Sequence, residues 1–370
     1  MQQEEIFVDY RVRVTQAALA ARVESLLLEQ TVELPRAALR PERVRGPLVG
    51  RVVASEGLSD GRFRVTLAQP AAAAAGDPAQ LLNLLFGNCS LQPDIELDDV
   101  RVPESLASRL GGPRFGAEGI RRTTGVRGRA LTASAIKPMG VSAGEAAALC
   151  GAFALAGLDI IKDDHGLADH AGCPFADRVR ACLEATLRAA QTTGRRAVYA
   201  PNLIGEPSAV MRQAALAADL GAQAVLVSPM LVGLPFFNEL VRSLGVPVLA
   251  HPAFGGAARM APEALLGRLF PLFGADAVIF PNAGGRFAYG RETCAAIAAN
   301  LRTPSAGHAP SLPVPAGGIK AENASAVLDF YGIDTILLVG GSLLETPDSA
   351  SLTERSRRFV EDVRAYVPKH

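Results

Sequence analysis

From about residue 130 to the C-terminus, short β-rich runs alternate with Ala- and Leu-rich helical stretches at intervals of about thirty residues, the length of a βαβ unit. Eight such units can be counted, and their strand ends read SAIKPM, LDIIKDD, AVYAPNL, AVLVSP, VPVLAHPAF, AVIFPN, LPVPAGG and TILLVGG. This repetition predicts an α/β fold, a TIM (β/α)8 barrel over 130–370, with its active site at the C-terminal strand ends. The helical period is expected to place Phe175, Val179, Leu183 and Leu187 on one face, and likewise Leu352, Phe359, Val360, Val363 and Val367 in the last helix.

Residues 1–110 read differently. IFVDYRVRV, TQAALAARVESLLLEQ, GRVVASEG, RFRVTLAQP, DPAQLLNLLFGN and DIELDDVRV give the order β-α-β-β-α-β. That order predicts an N-terminal ferredoxin-like α+β domain with both helices on one face of the sheet. A Gly- and Arg-rich connector, GGPRFGAEGIRRTTGVRGR at 111–129, joins it to the barrel.

The formal net charge is zero with both signs interspersed, which carries no nucleic-acid footprint and points to a small-molecule partner. The five cysteines include no CxxC pair, so reduced thiols in a cytoplasm are expected. The beginning of the sequence lacks a signal-peptide pattern, and Gly, Pro or charge breaks every apolar run before ~18 residues, so no membrane association is expected.

The chain has only four lysines, Lys137, Lys162, Lys320 and Lys369, in a background of arginine. Arginine serves ion pairs at least as well, so a lysine at a strand end suggests amine chemistry. In GLDIIKDDHG, strand alternation sends Lys162 and Asp164 into the barrel mouth, with His165 entering the turn. Two readings fit: a Lys162–Asp164 ion pair capping the strand, or a lysine carbamylated by carbon dioxide that becomes an oxygen ligand for a hard metal. In AIKPM, Lys137 is either a general base, its pKa lowered by desolvation and a nearby cation, or a cation that binds an anionic substrate. His251 in AHPAF is either structural or a donor to a substrate oxygen. Gly317, Gly318, Gly340 and Gly341 end the seventh and eighth strands, the usual barrel phosphate site. In the glycine-rich loop PNAGGRFAYG, Asn282 and Arg286 are expected substrate contacts, with a surface ion pair as the other reading of Arg286.

These residues together resemble the ribulose bisphosphate carboxylase/oxygenase (RuBisCO) large chain and, within that superfamily, the RuBisCO-like proteins. The resemblance runs over nearly the whole chain and rests on GLDIIKDD, SAIKP, FGN at 86–88 and the paired glycines. It implies that Lys162 is the carbamylated lysine, that Lys137 enolises the substrate, and that Glu29 and Asn88 reach the active site of a partner subunit in a homodimer or an assembly of dimers. It implies Mg2+ as cofactor, bound by Lys162, Asp164 and His165; imidazole is a poor magnesium ligand, so either His165 coordinates weakly, or water replaces it, or the site prefers Mn2+.

Departures from the carboxylase pattern matter equally. The second lysine of its KPK motif is Met139, the glutamate after KDD is His165, and the arginine after the strand-five histidine is Pro252. No lysine stands on the loop after the sixth strand. A sugar monophosphate therefore fits better than carbon dioxide fixation on a bisphosphate. KDDHGLADH, FPNAGGRF and PVPAGGI look most like the branch that isomerises 5-methylthioribulose 1-phosphate in methionine salvage. The alternatives are a diketo-methylthiopentyl-phosphate enolase, a decarboxylase of a branched 3-oxo sugar-acid phosphate, or a non-catalytic role in sulfur metabolism.

Overall fold

The computed structural model describes residues 4–39, 48–285, 287, 289–304, 307–346 and 348–368. Its N-terminal sheet comprises β1 (Glu5–Val12), β2 (Arg51–Gly57), β3 (Phe63–Pro70) and β4 (Ile95–Arg101), antiparallel in the order β2-β3-β1-β4. Alternate residues of β1, Ile6, Val8, Tyr10 and Val12, are buried. Helices α1 (Leu19–Glu29) and α2 (Pro78–Phe86) bury Leu19, Val23, Leu26 and Leu27, and Leu81, Leu84 and Leu85, in the same core. The second of these starts sharply because the Asp77 side chain accepts the Gln80 N–H and Pro78 needs no donor. This is the expected ferredoxin-like arrangement. β4 reaches the barrel through two backbone bonds, Leu97 N–H to Arg259 O (3.0 Å) and Ala261 N–H to Leu97 O (2.8 Å).

Two helices, α3 (Glu104–Leu110) and α4 (Gly116–Thr124), follow. The second lies in the stretch read from sequence only as a connector, because its Gly and Arg content hides the single apolar position Ile120. Ile120 and Val126 join the cluster that fills the barrel interior, so this helix closes the barrel floor.

The barrel strands are β5 (Leu131–Ile136), β6 (Ile160–Asp163), β7 (Val198–Ala200), β8 (Asn202–Leu203), β9 (Val225–Val227), β10 (Val248–Ala250), β11 (Ala277–Pro281), β12 (Leu312–Ala316) and β13 (Ile336–Val339). They pair in parallel in the order β7-β6-β5-β13-β12-β11-β10-β9-β8. β7 and β8 are one strand interrupted at Pro201, which has no N–H for the ladder, so nine segments make the eight expected strands. The interior is packed with Leu131, Ala133, Ile160, Val198, Ala200, Ala224, Leu226, Leu249, Ile279, Val314 and Leu338, and residues of opposite parity face the helices.

The outer helices are α5 (Ala143–Leu155), α6 (Phe175–Thr193), α7 (Pro207–Asp219), α8 (Pro229–Val232), α9 (Leu234–Ser243), α10 (Pro262–Ala264), α11 (Phe270–Leu272), α12 (Arg291–Arg302), α13 (Ala324–Tyr331), α14 (Gly341–Leu344) and α15 (Ser349–Ala365), with a π-turn at Leu265–Leu269. Two expectations fail here. Leu187 is 48% exposed, because each step of four residues drifts by about 40° around a 3.6-residue helix and the fourth member has left the buried face. Val367 is 75% exposed and lies beyond the last helix, since the residue before a proline, here Pro368, is biased away from helical geometry. Among the described residues, no helix is long and apolar enough to cross a membrane.

Candidate active site

The polar residues of the mouth continue the inward-facing register of the strands. Ile160 fills the interior, so Lys162 and Asp164 follow it toward the mouth, while Asp163 points back toward α6. There Asp163 accepts from Arg178 Nε (3.0 Å), Tyr199 OH (2.7 Å) and Asn202 N–H (3.1 Å). Arg178 also donates to the carbonyls of Ala168 and Cys173, both at 3.0 Å, and so folds the loop carrying Asp164 and His165 around one buried guanidinium.

Lys162 is 2% exposed, and its Nζ donates to the Asp163 carbonyl at 2.8 Å. Burial pushes its amine down to about 8, with the charge of Lys137 adding to the effect and the two aspartates opposing it. The ion pair at this site involves the other lysine: Lys137 Nζ lies 2.5 Å from Asp164 Oδ1. Burial raises the Asp164 carboxyl, but the nearby His165 ring, the contact with Lys137 and the charge of Lys162 outweigh it and hold the group below the usual carboxylate range.

His165 stacks on His251 across the mouth, with ring centroids 4.0 Å apart and planes 12° from parallel. His251 Nδ1 accepts the Ala253 N–H at 3.1 Å, which leaves the proton of the neutral ring on Nε2. Burial, with the charges of Lys162 and His165, lowers this imidazole to about 2, so His251 is a neutral donor at working pH. His165 Nδ1 is a buried atom 3.5 Å from Asp164 Oδ1 without hydrogen-bond geometry.

Two more buried polar atoms at the mouth lack partners, Asn202 Oδ1 and Ser228 Oγ. Neither residue, nor Arg178, was singled out from sequence. Strand parity could have found Ser228, which ends AVLVSP in register with Ala224 and Leu226; nothing local marks Arg178 within its helix.

Gly317 and Gly318 adopt φ of +88° and +72°, and a Cβ on Gly318 would meet Gly285 Cα at 3.0 Å, so glycine is required where the two loops touch. A Cβ on Gly340 or Gly341 would meet nothing within 4 Å, so the backbone there borders open space. Asn282 Oδ1 accepts from Tyr331 OH at 2.9 Å, tying that loop to α13. Arg286 lies outside the described residues. Glu29, half-buried, and Asn88, exposed, lie on the N-terminal unit and are bonded to each other, Asn88 Nδ2 to Glu29 Oε1 at 3.0 Å.

Among the described residues, no group of three or more His, Cys, Asp or Glu is arranged to hold a metal. Asp164 and His165 supply two donors, and a cation shared by them would satisfy the orphaned His165 Nδ1. A third donor requires Lys162 to acquire oxygen atoms. The residues fit a divalent cation on that condition.

Residues 116–258 match the family of the ribulose bisphosphate carboxylase large chain, catalytic domain. The chain is 45% identical to "Ribulose bisphosphate carboxylase-like protein 1" of Rhodopseudomonas palustris, covering 98% of both. It is 44% identical to the "5-methylthioribulose-1-phosphate isomerase" of Rhodospirillum rubrum, covering 96% of this chain and 95% of that one. A "2,3-diketo-5-methylthiopentyl-1-phosphate enolase" of Geobacillus kaustophilus is 34% identical over 92% of this chain and 88% of its own. The crystal structure of a Rubisco-like protein from Rhodopseudomonas palustris superimposes with a TM-score of 0.91 at 43% identity, covering 100% of each chain. The chain belongs to the RuBisCO large-chain family, among its RuBisCO-like proteins.

Proposed function

We propose that the protein enolises and isomerises a five-carbon ketose monophosphate, 5-methylthioribulose 1-phosphate, in methionine salvage, and fixes no carbon dioxide. The observation that carries this reading is the convergence of Lys137 and the buried Lys162 on Asp164 at the barrel mouth. It is supported by the name of the Rhodospirillum rubrum relative. Met139, 61% exposed and lying over Gly166, offers an apolar surface suited to a methylthio tail where a carboxylase has a second lysine.

In this reading, neutral Lys162 attacks carbon dioxide, loses a proton to solvent, and becomes a carbamate. Its lowered amine, at about 8, keeps a larger neutral fraction near neutral pH than an ordinary lysine has. With Asp164 and His165 it would hold Mg2+ or Mn2+. When bound, the cation supplies positive charge beside the substrate carbonyl. An ion sharing the Asp164 carboxylate would weaken its hold on Lys137, which favours Lys137 as the group that takes the proton from carbon. His251 Nε2–H donates to a substrate oxygen, and Gly317, Gly318, Gly340 and Gly341 take the phosphate, with Asn282 on the loop beside it. Glu29 and Asn88 complete the mouth of a partner subunit in a homodimer.

Proton NMR in deuterium oxide with this ketose phosphate tests the reading. Isomerisation with solvent exchange at the carbon is expected, increased by preincubation with bicarbonate and Mg2+ and absent from Lys162→Arg. Full activity in chelator, or an inert wild type, would overturn it. Turnover of the diketo-methylthiopentyl phosphate instead would replace it with the enolase, and release of carbon dioxide from a branched 3-oxo sugar-acid phosphate with the decarboxylase. Sharing of the site is tested by mixing inactive Lys137→Ala and Asn88→Ala chains. Hybrid dimers should regain activity, and a dead mixture would assign each site to one chain.

A further inference from the structure

Ser228 is 2% exposed, and its hydroxyl has no hydrogen-bond partner. A buried hydroxyl without a partner has given up its bonds to water for nothing in return, so its placement needs a reason. Helix capping does not supply one. Ser228 is the N-cap of α8, but its side chain makes no cap bond. Pro229 has no N–H to offer, and the Leu231 N–H goes to the Ser228 backbone carbonyl at 3.0 Å.

Direction follows from register. Ala224 and Leu226 belong to the barrel interior, while Val225 and Val227 belong to the outer core, so alternation turns Ser228 inward at the mouth. Val227 pairs with Ala250, so the next positions, Ser228 and His251, stand side by side on neighbouring strands, about 4.8 Å apart. The His251 N–H to Val227 O bond, 2.8 Å, continues the ladder to that level. His251 Nε2–H is a donor, and the Ser228 hydroxyl can donate or accept.

We propose that Ser228 and His251 form a paired hydrogen-bonding subsite for one hydroxyl of the substrate's carbon chain, making Ser228 a specificity-determining residue. Such a hydroxyl accepts from His251 Nε2–H and donates to Ser228 Oγ, giving Ser228 the partner it lacks in the free protein. This assignment rests on the sugar-phosphate reading above.

The test uses calorimetric binding of a pentitol 1-phosphate, which has no carbonyl and cannot react, and of its monodeoxy analogues, in Mg2+ and bicarbonate. Wild type should bind the parent about 10-fold tighter than one monodeoxy analogue. Ser228→Ala should narrow that difference to the part His251 supplies, leave discrimination among the other analogues unchanged, and melt at or above the wild-type temperature, because no hydrogen bond is lost in the free protein. Ser228→Thr, which keeps the hydroxyl, should restore the discrimination. Undiminished discrimination in Ser228→Ala, or a lowered melting temperature with binding unchanged, would overturn the assignment and leave Ser228 bonded to a buried water. Failure of wild type to bind any pentitol phosphate would overturn the sugar-phosphate reading and this assignment with it.

Discussion

The two ends of the barrel treat buried polarity in opposite ways. At the N-terminal strand ends, Asp159 is held by Arg129 (2.8 Å), Arg195 (2.6 Å) and both the N–H and hydroxyl of Thr132. Asp276 accepts three backbone N–H groups, from Phe115, Gly116 and Val248. The hydroxyls of Ser311 and Thr335 donate to carbonyls. At the C-terminal ends, His165 Nδ1, Asn202 Oδ1 and Ser228 Oγ are buried without partners, and Lys162 is an amine with one carbonyl contact. The floor spends its polar groups on closing the barrel, and the mouth holds its own open for a ligand.

If that division is real, damage to the floor should cost stability and spare chemistry. Asp159→Ala leaves two arginines and a threonine facing a cavity, and should destabilise the fold by about 3–5 kcal/mol. Urea titration checks this, with kcat per folded molecule within about twofold of wild type by comparison with typical surface changes. The sign with pH is fixed as well. Burial raises the Asp159 carboxyl, but Arg129 and Arg195 outweigh it and hold it below its ordinary value. Its stabilisation is therefore complete above the unfolded carboxylate range and is lost as pH falls through the folded value.

Damage to the mouth should do the reverse. Lys137→Ala should reduce exchange of the substrate's carbon-bound proton by ~100-fold or more, as expected for loss of a general base. Its thermal midpoint should stay near that of wild type, because Lys137 is about one-third exposed and the nearby charge of Lys162 still compensates the buried Asp164. Undiminished exchange in the variant would remove Lys137 from the role of base.

The same contrast explains how much was legible in the sequence. Both sheets and all eight barrel strands could be read, because hydrophobic alternation and strand-end punctuation are local signals, and the inward direction of Lys162 and Asp164 followed from parity. The partner of Asp164 could not be read: parity places Lys137 and Lys162 on one face, and only side-chain reach over neighbouring strands selects Lys137. The helix at the floor escaped because its buried surface is one isoleucine among glycines and arginines. Arg178 escaped because the loop carbonyls it binds come together only in three dimensions.

Lys162 separates the two ends most directly. An apolar residue of similar length at a buried position without full pairing should be tolerated or preferred, so Lys162→Met should match or exceed wild-type stability, by up to roughly 2 kcal/mol, while abolishing activity. A folded value of about 8 against an ordinary value of 10.5 means that the unfolded chain binds more protons between those limits. Wild-type stability therefore rises with pH from about 8 toward 10, and the variant should lack that rise. A Lys162→Met protein that melts well below wild type would make this lysine part of the scaffold.

The smallest effect concerns His251, which burial and the neighbouring cations lower to about 2 from an ordinary 6.5. Between those values the unfolded chain binds a proton that the native state refuses, so stability falls as pH drops below about 6.5. Over the first unit below that point the loss reaches about 1 kcal/mol, and His251→Gln should be free of it. Nitrogen-detected NMR should find the His251 ring neutral, with its proton on Nε2, from pH 5 to pH 9. The acid limb of the activity profile would then belong to a group other than His251, the lowered amine of Lys162 first. A His251 resonance that titrates near pH 6.5 would show water entering beside the stacked rings. The unpaired atoms of the mouth would then be solvated in the free protein, and the contrast with the floor would be one of accessibility rather than of withheld hydrogen bonds.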